Sequence, residues 1–511
     1  MPGFKMNGIK RGDLVAGVSV AAIAIPQSLA YAEIAGMPVH IGLYAAAIPP
    51  IIAAFFASSR YLQTGPVAMT GLLTFGALAT LQTPGTPAYV EAGILLALIV
   101  GIVRVLLGVM NAGILAYLMS QPVLLGFSSA AAILIVASQM ELVLGLPQTE
   151  GPLLERAASA LALRTAEWNT TAIGVAVVAG CIVVFGKKVH RLFPAILIAV
   201  VLGVLVNYFA KLPVETVGTI PEGLPSLSFA IPWDLGPRLL IPGIVIAVVG
   251  FAEPAAIART LAAQDRRAWD PDREFLSQGV ANVASALVGS FPVGGSFSRS
   301  AVAKLAGAQS RFTGLIGGII VFGFLPFAGL LESLPRAVLG AIVIVATVRL
   351  IKLRALFRMI RVTWGQSLVA WATFFATLVF APRVDLGLII GVVLATAVHL
   401  RRESKISLET QVVDGTLELV PSGVLYFGSA PGLSQALVNQ LAEHDDDSIS
   451  RVVVDLSELG RVDYTGVLEL KGFLDDCRTA GLEAKLRDIP DHAIGTLTRA
   501  LGDELNTLRE V

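Results

Sequence analysis

Two polar, glycine-rich stretches interrupt an otherwise apolar chain, and both contain groups suited to holding an anion. One is Gln63-Thr64-Gly65-Pro66-Val67; the other runs from Phe291 to Val302 and contains Gly294, Gly295, Ser296, Phe297, Ser298 and Arg299. A helix that starts in mid-membrane leaves its first backbone N–H groups unpaired and turns the positive end of its dipole toward whatever lies in front. Interrupted hydrophobic segments at matching places in two halves of a chain therefore point to a site that takes an anion. Arg299 adds a full positive charge. Such a charge is costly in mid-membrane unless it faces a polar cavity or a carboxylate partner. Ser296 and Ser298 add hydroxyl donors, and the Gly-Gly-Ser run leaves backbone donors accessible.

Other polar side chains sit inside apolar runs. Gln27 follows Pro26, which lacks an N–H and is expected to kink the first span. Tyr31 lies four residues further on, on the same helical face. Glu253, in Gly250-Phe251-Ala252-Glu253-Pro254, is a carboxylate whose burial disfavours its charged form, so it is a candidate proton carrier. Glu33 is a weaker second candidate: six residues after Gln27 it is rotated away from it, toward the outer end of the span. Arg104 is expected to snorkel toward the inner interface.

The elements that must position these groups are membrane spans. Apolar residues make up 55% of the 511 positions and charged residues only 14%, against about a quarter in soluble chains. Apolar segments fall at about 14–34, 40–58, 66–82, 90–111, 114–140, 170–186, 193–210, 239–261, 275–291, 296–308, 313–332, 336–351, 366–382 and 385–401. Fourteen spans put both termini on one side. Arg60, the cluster Lys187-Lys188-His190-Arg191, the group Arg259 to Arg273, Lys304, Arg311 and the group Lys352 to Arg361 then share the basic, cytoplasmic face. The long connections 141–168 and 211–236 fall on the other. Seven plus seven makes the second half an inverted copy, with repeats at about 13–210 and 238–402. Segments three and ten then bring their amino ends to the mid-plane from opposite sides.

After Arg402 the chain changes character. From Glu403 onward there are 9 basic and 20 acidic residues. Thr416–Val420, Val424–Gly428, Arg451–Leu456 and Leu482–Arg487 read as strands, alternating with helices at Leu433–Glu443, Gly466–Arg478 and Ala493–Asp503. That is a small soluble α/β domain over 403–511, apart from the membrane domain at 1–402. At Asp463-Tyr464-Thr465-Gly466, helix capping is the expected role. Cys181 and Cys477 form no motif, the five histidines are scattered, and no phosphate loop, metal cluster or nucleophile elbow is present in the sequence. An enzyme is not expected, nor a cofactor, a metal site or a nucleic-acid partner.

These motifs resemble the SulP family, also called solute carrier family twenty-six. Pro26-Gln27-Ser28-Leu29-Ala30-Tyr31-Ala32 resembles the family's first-span motif, Gly65-Pro66-Val67-Ala68 its third-span start, and Gly295-Ser296-Phe297-Ser298-Arg299-Ser300 its tenth-span start. Asp463-Tyr464-Thr465-Gly466 resembles the turn of the STAS domain that ends these transporters. The resemblance implies core and gate domains, a homodimer and elevator-like alternating access. It also implies an inner-membrane location with a cytoplasmic STAS domain open to a regulatory protein partner. Gln27, Tyr31, Ser298 and Arg299 stand at the family's binding positions, with Thr64, Gly65, Pro66, Val67, Gly295, Ser296 and Phe297 around them. Glu at 253 resembles the proton-coupled members. The expectation is proton-coupled symport of a small carboxylate, fumarate-like dicarboxylates first. The alternatives are a sodium-coupled bicarbonate or sulfate transporter and a membrane-anchored anion sensor.

Overall fold

The computed structural model describes residues 8–117, 119–189, 193–221, 223–224, 231–443 and 449–510. His190 and Arg191 of the basic cluster lie outside the described residues, as do 222 and 225–230 of the second long connection. The chain divides into two compact units, Met1–Val392 and Val393–Val511.

The first unit contains the helices α1 (Arg11–Ile34), α2 (Val39–Phe56), α3 (Ala68–Leu78), α4 (Pro87–Val109), α5 (Gln121–Ser138), α6 (Met140–Leu144), α7 (Leu153–Ala162), α8 (Thr170–Val189) and α9 (Ala195–Ala210). It continues with α10 (Gly236–Gln264), α11 (Pro271–Leu287), α12 (Phe297–Leu305), α13 (Thr313–Phe324), α14 (Arg336–Thr347), α15 (Leu353–Ile360), α16 (Trp364–Val379) and the start of α17 (Val384–Glu403). Each of the fourteen expected segments has a helix at its place. Among the described residues, seven helices are long and apolar enough to cross a membrane by themselves. Two of the shorter ones are short for a reason. At 11 and 9 residues, α3 and α12 rise only about 16 and 14 Å, roughly half of a ~30 Å hydrocarbon core. They are half-spans.

Packing follows the inverted repeat. The fourth segment, α4, packs on the ninth, α11; the second, α2, packs on the eleventh, α13. These pairs exchange under a shift of seven. So do α1 with α13 and α10 with α4, and likewise α5 with α16 and α14 with α8. Two helix groups result: α1–α4 with α10–α13, and α5–α9 with α14–α17. Close backbone approach joins their members. Gly318 faces the Ala47 carbonyl of α2, Gly279 the Val105 amide of α4, and Gly387 and Gly391 lie against Thr377 and Thr373 of α16.

Pro26 lies inside one helix, as the segment 14–34 expects: α1 runs on to Ile34, with the Ser28 hydroxyl donating to the Ile25 carbonyl (2.7 Å) beside the proline. One sequence expectation changes. The two breaks are more than gaps, because Gln63–Gly65 (β1) and Gly294–Ser296 (β2) pair as an antiparallel ribbon, Thr64 opposite Gly295. The helices α7 and α15 had no counterpart in the segment pattern. α15 is short, with Arg354 and Arg358 on a helix whose buried residue is Leu356.

In the second unit, β3 (Ser407–Val413), β4 (Thr416–Leu425), β5 (Arg451–Asp455) and β7 (Glu483–Arg487) lie side by side, and β6 (Leu459–Val462) pairs with β4. α18 (Ala430–Glu443), α19 (Tyr464–Thr479), α20 (Asp491–Leu501) and α21 (Glu504–Leu508) complete it. β4 takes in the predicted Thr416–Val420 and the first two residues of Val424–Gly428: buried Leu417, Leu419 and Pro421 alternate with half-buried residues, the alternation lapses over Ser422 to Val424 where the pairing with β6 shifts register, and the strand ends at buried Leu425. β3, β6 and α21 were not expected. At the Asp-Tyr-Thr-Gly turn, Asp463 caps α19 by accepting from the Gly466 N–H (2.8 Å). A Cβ at Gly466 would lie 2.4 Å from Leu425 Cγ, so the turn requires glycine.

Candidate functional site: converging half-helices

The ribbon explains the convergence. Because β1 and β2 run antiparallel, the helices that follow them, α3 and α12, start from opposite ends of one three-residue ribbon and leave in opposite directions. Val67, at the amino end of α3, has no side-chain cap, so the first N–H groups of that helix are left to whatever occupies the space ahead. At the other helix, Ser296 caps α12 by accepting from the Arg299 N–H (3.4 Å), and its hydroxyl lies 3.3 Å from that of Ser298.

Arg299 ties the two halves together. It is 1% exposed, and its Nη2 donates to the Pro66 carbonyl (2.8 Å), two residues before α3. Its Nε is buried and has no hydrogen-bond partner. No ion pair of Arg299 with a carboxylate occurs among the described residues, so the guanidinium keeps its charge for the site. Gly65 makes room for it. A Cβ there would sit 3.1 Å from both terminal nitrogens of Arg299, and its φ of +145° is one that side chains rarely adopt.

From α1, the Gln27 Nε2 donates to the Ser298 hydroxyl at 3.4 Å, and its Oε1 is buried and unpartnered. Tyr31 is buried one turn on, where its hydroxyl feels the charges of both Arg299 and Glu253. Thus Gln27, Tyr31, Ser298, Arg299 and Glu253 come together from α1, α10 and α12. Thr64, Gly65, Pro66, Val67, Gly295 and Ser296 form the buried wall behind them, while Ser298 and Phe297 (64% exposed) border open space. Glu253 is half-buried on α10 and forms no ion pair among the described residues. It also feels the charge of Lys352, which lies just before α15.

Glu33 is elsewhere. Its Oε1 accepts from the Arg336 Nε (2.9 Å), and Nη2 of the same guanidinium pairs with it. Arg336 also pairs with Glu215. The carboxylate is buried in an ion pair joining α1 to α14, not exposed at the end of a span. Arg104 also corrects its expectation. It does not snorkel: it is 0% exposed and donates Nε to the Ala247 carbonyl (3.0 Å), Nη1 to Val293 (3.0 Å) and Nη2 to Ile246 (3.1 Å). Backbone acceptors on α10 and ahead of β2 lie within its reach, so it has no need of the interface.

Several site-building residues escaped the sequence reading. Gln278 on α11 donates to the Thr64 hydroxyl (2.7 Å), and Ser300 accepts from the Gln63 N–H (2.9 Å) while donating to the Ser296 carbonyl (2.6 Å). Asn282 accepts from the Val293 N–H (2.9 Å) and donates to the Val293 carbonyl (3.0 Å), fixing the entry to β2. The available signal was the unusual polarity of α11, with Ser277, Gln278, Asn282 and Ser285 all buried in a membrane helix.

Residues 11–373 match the model of the sulfate permease family, and residues 407–510 match the STAS domain. The chain belongs to the sulfate permease family. It is 33% identical to a probable sulfate transporter of Mycobacterium tuberculosis over 76% of this chain and 69% of that one. It is 30% identical to the chloroplastic sulfate transporter 4.1 of Arabidopsis thaliana, over 92% of this chain and 74% of that one. The murine solute carrier 26 family member A9, solved in an inward-facing state, superposes with a TM-score of 0.91 at 20% identity, covering 100% of this chain and 91% of that one. The transmembrane domain of a cyanobacterium bicarbonate transporter, BicA, gives 0.65 at 24% identity over 75% of this chain and 97% of that domain. These two likenesses concern the fold. The permease is accordingly a multi-pass membrane anion transporter with a STAS domain, not an enzyme.

Proposed function

We propose that this permease carries a small dianion together with protons by elevator-like alternating access, with Arg299 and the starts of α3 and α12 as its anion site. The observation that supports this most directly is the buried Arg299, with an unpartnered Nε beside two converging helix starts. An anion entering against an inside-negative potential costs roughly 2.3 kcal/mol per charge per 100 mV, and co-transported protons cancel that cost. Glu253 is the proposed proton carrier, because it is a carboxylate within the membrane helix α10 and lacks a salt-bridge partner among the described residues. The ion pair between Glu33 and Arg336 joins the two helix groups and would have to break when one slides past the other. The termini are assigned to the cytoplasmic side of an inner membrane on the basic loops, and assembly as a homodimer is part of the proposal.

For the substrate, a fumarate-like dicarboxylate is the first reading, since its two carboxylates can meet both the buried guanidinium of Arg299 and the uncapped N–H groups at the start of α3. The printed names of the relatives favour sulfate as the second reading. Uptake into proteoliposomes, with fumarate, sulfate and bicarbonate competing at two pH values, decides between them. Glu253→Gln is expected to abolish the acid stimulation of uptake while anion binding persists. Acid stimulation identical to wild type would remove Glu253 from the mechanism, and uptake that follows a sodium gradient at fixed pH would replace the proton by sodium.

A further inference from the structure

Away from the transport site, the short helix α15 carries arginines that no acid among the described residues pairs with. Residues 333–384 contain no Asp or Glu, while Arg349, Lys352, Arg354, Arg358 and Arg361 follow one another in and around this helix. The helices on which α15 packs, α5 and α16, contain no acid either. Lys352 turns its charge toward Glu253. Arg354, Arg358 and Arg361 are exposed, and their guanidinium groups have no hydrogen-bond or ion-pair partner among the described residues.

The helix is laid out in stripes. Leu356 is buried and, with half-buried Met359, packs with Ala130 of α5 and with Ala370 and Phe374 of α16. That side holds α15 to the membrane unit. Next to it, Leu353, Phe357 and Ile360 recur at helical spacing and are all exposed. Phe357 sets a ring edge against Trp371 (5.0 Å between centroids) and is still 58% exposed. Arg354, Arg358 and Arg361 form a third stripe at the same spacing. The exposed apolar stripe therefore lies between the protein-facing side and the cations. Just past the helix, Val362 and Trp364 are exposed as well.

We infer that α15 is a membrane-surface anchor: its apolar stripe dips into the acyl boundary, and Arg354, Arg358 and Arg361 bind the headgroups of acidic phospholipids. Adjacent apolar and cationic faces are what a helix lying in the plane of an anionic bilayer presents. An acidic leaflet attracts basic side chains next to a span, and the planar fork of arginine meets phosphate with two parallel hydrogen bonds. Trp364, which opens α16, adds an amphipathic ring of the kind that favours a membrane–water boundary. A free anion would engage the arginines alone and leave Leu353, Phe357 and Ile360 in water, so the two stripes together commit this face to a lipid surface. α15 belongs to the helix group that does not carry Arg299, and the contact would hold that group at the membrane surface. This inference does not depend on the transported anion or on the coupling ion.

The test titrates the full-length protein in detergent with phosphatidylglycerol and, separately, with phosphatidylcholine, and reads lipid adducts and oligomeric state by native mass spectrometry. In the variant Arg354→Gln/Arg358→Gln/Arg361→Gln, phosphatidylglycerol affinity is expected to fall at least about tenfold, with phosphatidylcholine adducts unchanged and the melting temperature within about a degree of wild type. The same three positions changed to Lys should keep at least about a third of the affinity and lose it as ionic strength rises. Arg358→Gln alone is the fallback if the triple change disturbs folding, and about a threefold loss is expected from it. Equal phosphatidylglycerol binding by wild type and the Gln variants overturns the inference. So does displacement of the lipid by inorganic phosphate, which would mark a free-anion site. A Gln variant that keeps its lipid but changes oligomeric state would assign this face to a second copy of the chain, and would equally overturn the inference.

Discussion

Among the described residues of the membrane unit two arginines are buried, and their surroundings differ in one decisive way. Arg104 on α4 donates to three backbone carbonyls, two on α10 and one ahead of β2. Arg299 on α12 donates to one, Pro66, and keeps a buried Nε without a partner. Both charges are removed from water, which is tolerable only where hydrogen bonds or a counter-charge replace it. For Arg104 the protein supplies the replacement in full, and the guanidinium acts as a rivet between α4, α10 and the β2 strand. For Arg299 the replacement is incomplete. The difference teaches that burial of a charge does not by itself mark a transport site. Unused donor capacity does.

The comparison can be broken by substitution. The largest effect is expected at the rivet: Arg104→Met leaves three carbonyls without that donor, a loss of about 3 kcal/mol or more, and should abolish monodisperse protein on size exclusion. At the site, Arg299→Gln should leave the melting temperature within a few degrees and lower uptake about 100-fold, as a charge-assisted contact to the anion is worth up to about 3 kcal/mol. If the two outcomes were exchanged, the assignment of roles would fail.

A smaller effect sharpens the same contrast. Gly65→Ala places a methyl 3.1 Å from the terminal nitrogens of Arg299 at a strained φ of +145°. It should raise the KM for the anion roughly tenfold, at a cost of about 1–2 kcal/mol. An unchanged KM would mean that the guanidinium does not depend on this cradle.

Arg487 of the STAS domain is a third case, a half-exposed arginine whose partners are acids. It donates to Glu418 (2.7 Å) and to Asp455 (3.0 and 3.1 Å). Its hydrogen bond holds Glu418 below the usual carboxylate range. Burial pushes Asp455 up, but hydrogen bonds from Ser457 and Arg487 outweigh it and leave it below that range as well. Lowered carboxylates stabilise the fold above the ordinary carboxylate value near 4 and lose that contribution as pH falls through their folded values. Arg487→Met should therefore cost about 1 kcal/mol at neutral pH and flatten the acid limb of the STAS unfolding curve. An acid limb as steep as that of wild type would show that the pairing carries no linkage.

Much of this architecture was legible in the residues. Most apolar segments matched the helices to within a few positions, because long apolar runs leave few alternatives to a helix in lipid; α5 starts seven residues later than expected, and α13 ends eight earlier. Arg299, Gln27 and the two Gly-rich breaks stood out since polar groups are rare and costly there. Gln278 and Asn282 did not stand out. Their segment is punctuated by Ser and Asn, and only the packing of α11 against α2 and α4 shows that these side chains hold Thr64 and Val293. Glu33 and Arg104 were misplaced for a related reason: the partner of each is more than 100 residues away in sequence, and spacing along one helix cannot reveal it.

The order of segments, their inverted halves, the charge split between membrane and STAS units and the two mid-membrane breaks were fixed by composition and pattern. These follow from local rules: apolar length, helix-starting chemistry and the distribution of basic loops. Which buried charge is a rivet and which is left open was decided only when distant elements met. Hydrogen bonding is a property of pairs, and the members of these pairs come from opposite halves of the chain.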